Sequence, residues 1–259
     1  MSEYLSSVQN PRIKQLVALQ QKSSLRRDTG MFVVEGAREL RHCIEAGFEL
    51  ECIFYCPQLL CDFALPDGVK AFEVSPEVYA KVAYRESTEG IIAEVKSRRL
   101  ELDTIQLGDN PLIIVLESVE KPGNLGAVLR SADAAGADAV IVCDPLTDLY
   151  NPNLIRASIG SVFTKQVVCC SSGQAISWLK EKRIRIYTAQ LQDSSWYYDT
   201  DMKSGTAIVM GTEATGLTEV WRQAADAHIR IPMLGALDSL NVSVSAAILL
   251  FEAVRQRNG

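Results

Sequence analysis

The chain has 259 residues, of which 47% are hydrophobic and 22% charged, and its net charge is −6. This composition is typical of a folded protein whose core is stable without disulfides or metals. No apolar run approaches the roughly 18 residues that cross a membrane, and the first ten residues lack the apolar segment of a secretion signal, so we expect a cytoplasmic protein. The seven cysteines have neither disulfide nor zinc spacing, which predicts free thiols and no bound metal.

Positive charge is concentrated near the N-terminus. Residues 1–41 carry seven basic and four acidic side chains, although the whole chain is acidic. A local basic excess of this kind is typical of a surface that binds phosphate groups. A solvated helix face is the alternative interpretation, and charge alone favours neither.

The first hundred residues predict a small α/β domain. Apolar residues interleaved with basic and polar ones over 10–21 indicate an amphipathic helix, and a second helix is predicted over 37–46. Short apolar runs predict strands at 31–34, 52–55 and 91–95.

Residues 99–110 are charged or polar and run into Gly-Asp-Asn-Pro, which predicts a linker between domains of residues 1–98 and 111–259. After this linker, buried strands alternate with helices. Apolar runs predict strands at 112–116, 139–143, 166–169, 184–189, 207–210 and 228–231. Apolar residues at helical spacing predict a helix between the first two runs and a last helix over 243–256. The alternation predicts an α/β fold with a mainly parallel sheet covered on both faces.

The first segment with candidate chemistry is residues 121–131, which follow a strand and open a helix. Pro122 and Gly123 predict a turn, and Asn124 is the expected N-cap. Arg130 lies two turns into the helix, where its guanidinium can bind a phosphate. Taken alone, this segment is better interpreted as a capped helix with a surface arginine.

Two later segments combine glycines with polar residues. Residues 210–217 directly follow a strand, and Gly211 and Gly216 permit close backbone approach or positive φ. Residues 231–245 place Ser239, Asn241 and Ser243 before the last helix, which is more polar groups than one helix cap needs. Glycine motifs for dinucleotides and for ATP are absent, which argues against a small-molecule enzyme that uses nucleotide phosphates.

In this order, the three segments resemble the motifs of the SpoU-type (TrmH-like) RNA 2′-O-ribose methyltransferases of the SPOUT superfamily. The resemblance covers about residues 111–255 and includes a further match around Arg156. Residues 10–14 and 32–36 are similar, more loosely, to the family's ribosomal-protein-like RNA substrate-binding domain. Lys121 departs from the family pattern, in which many relatives carry Asn or Asp before the proline.

The resemblance implies a C-terminal trefoil knot in the parallel sheet and S-adenosyl-L-methionine as the cofactor. It implies cofactor contacts from Met210, Gly211, Gly216, Ile231, Met233 and Leu240. It implies catalytic-site positions at Asn124, Arg130, Glu213, Ser239 and Asn241. With the basic excess near the N-terminus, it predicts RNA contacts from Arg12, Lys14, Lys22, Arg26, Arg27 and Arg156.

The resemblance also implies a homodimer built around the knot and the last helix. That helix carries more apolar surface than one core face needs. The residues concerned are Ala246, Ala247, Leu250, Phe251 and Val254.

The implied reaction transfers a methyl group to a ribose 2′-hydroxyl, which needs in-line alignment and removal of a proton. The family's activator corresponds to Arg130, but a guanidinium is effectively never deprotonated. We therefore expect Arg130 to hold a substrate phosphate and to stabilise the developing alkoxide. A phosphate, a water or Glu213 would accept the proton, while Asn124 and Ser239 orient the sugar and the arginine.

The expected substrate is ribosomal RNA rather than tRNA, by analogy with relatives that carry an extra N-terminal domain. Three alternatives share the fold: a tRNA 2′-O-methyltransferase, an enzyme that methylates a base, and a catalytically silent RNA-binding protein. The presence of Arg130, Glu213 and Asn241 argues against the silent protein.

Overall fold

The computed structural model describes residues 3–60, 62–84, 89–212 and 214–259. The chain divides into two compact units, one of Met1–Arg98 with Asp148–Thr164 and the other of Arg99–Thr147 with Lys165–Gly259. The strands are β1 Glu3–Leu5, β2 Met31–Glu35, β3 Leu50–Tyr55, β4 Lys70–Val74, β5 Ile91–Lys96, β6 Leu112–Glu117, β7 Ala139–Cys143, β8 Gln166–Cys170, β9 Arg185–Ala189, β10 Ser195–Trp196, β11 Thr206–Met210 and β12 Ala227–Arg230. The helices are α1 Pro11–Gln21, α2 Ser23–Thr29, α3 Ala37–Glu45, α4 Pro76–Val82, α5 Pro122–Ala134, α6 Pro152–Ser158, α7 Ser161–Thr164, α8 Ser172–Glu181, α9 Glu219–Ala224 and α10 Val242–Asn258.

A five-stranded mixed sheet forms the centre of the first unit. Its order is β1-β4-β3-β5-β2, with β1, β4 and β3 parallel and β5 antiparallel to β3 and β2. Helix α1 begins after Asn10, whose side chain accepts a hydrogen bond from the backbone N–H of Arg12 at 2.9 Å and so caps the helix. The helix buries Ile13, Leu16 and Leu19 in the core of this unit, which confirms the predicted amphipathic helix.

Residues 148–164 pack in the first unit, although the chain on either side of them belongs to the second. The ring of Tyr150 stacks on Phe32 with 4.1 Å between centroids, and Phe163 packs on Phe32 and Phe48 at 5.9 and 5.3 Å. The predicted domain of residues 111–259 would group this segment with the second unit. The contacts group it with the first, because its aromatic side chains complete that unit's core.

Arg26 links the same segment to the N-terminal helices. Its Nε donates to Asp148 Oδ2 at 2.5 Å, and its Nη1 donates to the carbonyl oxygens of Leu19 and Gln20. The Arg26 side chain is only 4% exposed and that of Asp148 14%, so water screens the ion pair poorly.

We expect Arg26→Met to lower the free energy of unfolding by about 3 kcal/mol, because the substitution leaves a largely buried carboxylate without its partner. Urea denaturation followed by far-ultraviolet circular dichroism measures the change. The matched control is Arg27→Met, because Arg27 is an exposed neighbour in the same helix. Equal destabilisation by the two substitutions would contradict a structural role specific to Arg26.

The second unit is built on a seven-stranded sheet in which every pair is parallel. The order is β10-β12-β9-β11-β6-β7-β8. Strands β6, β7 and β11 are buried along their whole length, as expected where helices cover both faces of a parallel sheet. Helices α5 and α10 pack on this sheet, as do α8 and α9. The predicted parallel sheet is confirmed, and the trefoil knot that the resemblance implies stays a prediction.

The predicted linker, residues 99–110, is packed against the second unit. Leu100 forms an isolated parallel bridge to Val168, and Ile105 is buried. The backbone N–H of Gln106 donates to Gln166 Oε1, and Gln166 Nε2 donates back to the Gln106 carbonyl, both at 2.8 Å. This segment is therefore part of the second unit and not a free connection. Across the described ranges, no helix combines the length and the apolar character needed to cross a membrane.

Candidate active site

A cavity of about 390 Å³ opens beside the carboxyl ends of β9, β11 and β12. Ligands of open parallel sheets bind at this edge because the connecting loops converge there. All six residues predicted to contact the cofactor line this cavity, and so does the predicted catalytic residue Ser239. The six are Met210, Gly211, Gly216, Ile231, Met233 and Leu240.

The loop after β11 is closed on itself. The backbone N–H of Thr212 donates to the Gly216 carbonyl at 3.2 Å, and the Gly216 N–H donates back at 3.1 Å. Gly216 has φ +67°, which favours glycine, and a Cβ on Gly211 would lie 2.3 Å from the Gly216 carbonyl carbon and oxygen. Both glycines are therefore explained by the shape of the loop, since Gly211 permits a close backbone approach and Gly216 a positive φ.

A buried carboxylate fixes the far end of this loop. Glu117, at the end of β6, is 3% exposed and accepts hydrogen bonds from the Thr218 N–H at 2.8 Å and the Thr218 hydroxyl at 2.7 Å. Ser172 Oγ lies 3.2 Å from the same carboxylate and accepts a hydrogen bond from Trp221 Nε1 at 3.0 Å. These contacts join the loop after β11 to the ends of neighbouring strands and so help to hold the cavity wall in place.

The first and third motifs meet at a pair of asparagines. Asn241 Nδ2 donates to Asn124 Oδ1 at 3.2 Å, while Asn241 Oδ1 accepts from the backbone N–H and the hydroxyl of Ser243. Asn241 is thus the N-cap of α10, one of the two roles weighed for the polar residues there. The prediction that Asn124 caps α5 is wrong: that helix begins at Pro122 with Lys121 as its cap, since proline is favoured in the first turn. The side chain of Asn124 instead accepts the hydrogen bond from Asn241 in the third motif.

Two further predicted catalytic residues, Arg130 and Glu213, are not part of this asparagine pair. Arg130 is exposed, and its side chain makes no hydrogen bond or ion pair with any residue that the structure describes. It lies six residues beyond Asn124 in α5, about 9 Å along the helix axis, and neither residue lines the cavity. The asparagine pair lies at the cavity rim, because Leu240 and Val242 on either side of Asn241 both line it. Glu213 lies outside the described residues.

The predicted RNA contacts belong to the first unit. Arg12, Lys14, Lys22, Arg27 and Arg156 are exposed, and Arg156 joins the others because its segment packs in that unit. Arg26 does not fit the prediction. Its guanidinium is buried and bonded to Asp148 and to two carbonyls, which leaves it unavailable to a phosphate.

Sequence reasoning missed part of the cavity wall. Gln190, Leu191 and Gln192 follow β9, and Arg222 projects from α9. The buried run of β9 followed by two glutamines was a usable signal, because it marks another loop at the carboxyl edge of the sheet. Arg222 had no such signal, since an arginine in a short helix is an ordinary surface residue. Among the residues with described positions, no group of three or more His, Cys, Asp or Glu is arranged to hold a metal ion.

Comparison with known proteins identifies the family. The SpoU rRNA Methylase family model matches residues 111–251, and the MRM3-like substrate binding domain matches residues 10–93. The chain is 31% identical to the 23S rRNA (uridine(2479)-2′-O)-methyltransferase of Streptomyces viridochromogenes, over 96% of this chain and 91% of that protein. Its structure is similar to that of an RNA 2′-O ribose methyltransferase, with a TM-score of 0.87 and 39% identity over 99% of this chain and 100% of the other. It is also similar to an AdoMet-bound rRNA methyltransferase from Sinorhizobium meliloti, with a TM-score of 0.89 and 28% identity over 98% of each chain. The chain therefore belongs to the SpoU rRNA methylase family, as its three motifs predict.

Proposed function

We propose that this chain methylates a ribose 2′-hydroxyl of large-subunit ribosomal RNA, with S-adenosyl-L-methionine as the methyl donor. The observation that carries the proposal is the cavity at the carboxyl edge of the parallel sheet. Residues from two motifs that are separated in sequence line it together, in a chain that matches ribosomal RNA 2′-O-methyltransferases over nearly its whole length. We further propose that it acts in the cytoplasm.

The cavity suits S-adenosyl-L-methionine in size and chemistry. Its volume of about 390 Å³ is within the range of small-molecule sites. Apolar side chains such as Ile231 and Leu240 offer a surface for the adenine ring, and Gly211 brings a main-chain segment into the wall. Gln190 Oε1 is buried there without a hydrogen-bond partner, and a buried acceptor of this kind can accept a hydrogen bond from a bound ligand.

The cofactor supplies a methyl group on a sulfonium, so the protein has to align the 2′-hydroxyl and stabilise the charge that develops on it. Asn124 and Asn241 form a fixed polar pair at the cavity rim that is suited to orient a ribose. Ser239, two residues before Asn241 in the chain, lies on the cavity wall. Arg130, exposed and without a protein partner among the described residues, is free to hold a substrate phosphate and to stabilise the alkoxide.

Methylation mapping tests the function. The purified protein, S-adenosyl-L-methionine and ribosomal RNA from cells that lack this protein should yield one or a few positions newly resistant to alkaline hydrolysis. Resistance arises because a 2′-O-methyl group blocks attack on the adjacent phosphodiester. Methylation confined to tRNA would overturn the ribosomal assignment. A protein that binds the cofactor and methylates neither RNA would be the catalytically silent alternative.

We also propose that the protein is a homodimer that pairs through α10. Val244 and Phe251 are 47% and 48% exposed, and they lie seven residues apart on one side of the helix with half-buried Ala247 and Ile248 between them. Of the residues expected at this interface, Ala246 and Leu250 instead face the core of the second unit. An apolar stripe left uncovered on a helix favours association.

Light scattering should give twice the 28.5 kDa mass of one chain at micromolar concentration. Phe251→Glu should give the monomer mass, because it replaces the largest side chain of the apolar stripe by a charged one. Val220→Glu is the matched control, since Val220 is an exposed valine on another helix and is 53% exposed. A wild-type monomer, or a dimer that persists in the Phe251 variant, would contradict the proposed interface.

A further inference from the structure

The cavity wall contains a cation that the protein itself does not neutralise. Arg222 projects from α9 into the wall, and its Nε is buried without a hydrogen-bond partner. Within the described part of the chain, its guanidinium has no ion pair with a carboxylate. A buried donor on a charged group is costly to leave unsatisfied, which points to a partner that binds from outside the chain.

The second arginine of the wall, Arg230, also has a buried Nε without a hydrogen-bond partner, but the rest of its guanidinium is already held by the protein. The Arg230 guanidinium lies over the ring of Trp196 at 4.3 Å from the ring centroid, and its Nη1 donates to the Leu191 carbonyl at 3.4 Å. A cation stacked on an aromatic face is already partly stabilised by the ring, so it gains less from binding an anion. Arg222 makes no comparable contact among the described residues, so it is the stronger candidate for binding an anionic group.

We propose that Arg222 binds the α-carboxylate of S-adenosyl-L-methionine. This inference rests on the proposed function, and it assigns an amino-acid subsite within the same cavity. The cofactor carries one carboxylate, and a guanidinium is the side chain best matched to it in geometry and charge. An RNA phosphate is the competing anion. The cofactor is favoured because Arg222 shares its cavity with Gly211, Ile231 and Leu240, and because its Nε is buried.

Two ligands that differ at the amino-acid end separate these interpretations. S-adenosylhomocysteine keeps the carboxylate, whereas 5′-methylthioadenosine has the same adenosine and thioether but no amino-acid group. Calorimetry on the full-length protein should show that Arg222→Met raises the Kd for S-adenosylhomocysteine about 10- to 100-fold, the range expected for hydrogen bonds to a charged group. The Kd for 5′-methylthioadenosine should change less than twofold. Arg222→Lys should recover part of the affinity for S-adenosylhomocysteine, because it restores the charge without the planar fork.

Arg99→Met is the matched control, because that side chain is 78% exposed and lies away from the cavity lining; it should change neither Kd. Unchanged affinity of Arg222→Met for S-adenosylhomocysteine would overturn the inference, and a loss confined to RNA binding would assign the arginine to a phosphate. An equal loss for both ligands would overturn it too, since the effect would then be on the fold or on the adenosine site. A wild-type protein that binds neither ligand would instead refute the proposed cofactor.

Discussion

Arg130→Ala is expected to reduce the rate of methyl transfer on the order of 100-fold or more, which is the usual effect of removing one charged donor from a developing oxyanion. The affinity for S-adenosyl-L-methionine should stay within about twofold, because Arg130 does not line the cavity. Single-turnover assays with ribosomal RNA measure the rate, and calorimetry measures the affinity. The split between rate and affinity is what a group that acts on the transition state should produce.

Arg130→Lys distinguishes two ways in which this residue could act. A guanidinium that grips a phosphate through two parallel hydrogen bonds is poorly replaced by an ammonium, whereas a simple point charge survives the exchange in part. Arg99→Ala serves as the control for loss of an exposed arginine in the same unit. Near wild-type turnover in Arg130→Ala would remove this residue from the mechanism and would leave Glu213 as the leading candidate.

Gly211→Ala is expected to weaken cofactor binding by at least about 100-fold. The added Cβ would lie 2.3 Å from the carbonyl group of Gly216 and 2.5 Å from the Leu217 nitrogen, and backbone atoms cannot move aside without opening the loop. Opening the loop breaks the paired hydrogen bonds between Thr212 and Gly216 and displaces the cavity wall. Calorimetry with S-adenosylhomocysteine measures the loss.

Alanine substitutions at two other glycines provide comparisons for the loss of affinity in Gly211→Ala. Gly216→Ala meets no neighbouring atom but keeps a positive φ, so we expect a loss of about tenfold or less from backbone strain of roughly 1 kcal/mol. Gly173→Ala, in α8, meets no neighbouring atom and has no positive φ, so affinity should not change. If Gly211→Ala bound the cofactor as tightly as Gly173→Ala, the closed loop would not be what shapes the cavity.

The second unit was largely predictable because its strands are buried on both faces. The predicted strand at 139–143 coincides with β7, and those at 112–116 and 207–210 differ from β6 and β11 by one residue. Continuous apolar runs of this length have few other interpretations in a chain that alternates strand and helix. Much of the cavity lining was predictable for a related reason, since the second motif overlaps the end of β11 and the third directly follows β12.

The features that sequence analysis missed either depend on partners distant in sequence or have a weak local signal. Arg26 has the local pattern of an exposed basic residue, and its charge is neutralised only by Asp148, 122 residues away in the chain. The edge strand β1 and its neighbour β4 are short and give little periodic signal. Helix α8 begins in a Ser-Ser-Gly stretch, and the capping box that Ser171 forms with Gln174 was overlooked. Arg222 is a candidate binding residue only because it lines the cavity, and no local sequence pattern predicts that position.

The packing of residues 148–164 in the first unit has a consequence for synthesis on the ribosome. The N-terminal unit cannot complete its core when Arg98 leaves the exit tunnel, because Tyr150 and Phe163 have not yet been made. At about 5–20 residues per second, the wait for Thr164 lasts roughly 3–13 s. During this interval β6 and β7 also emerge, so the nascent chain exposes apolar strands of one unit before the other is finished. A fragment that ends near residue 100 would stay in this incomplete state, and one that begins there would carry an aromatic segment without its partners.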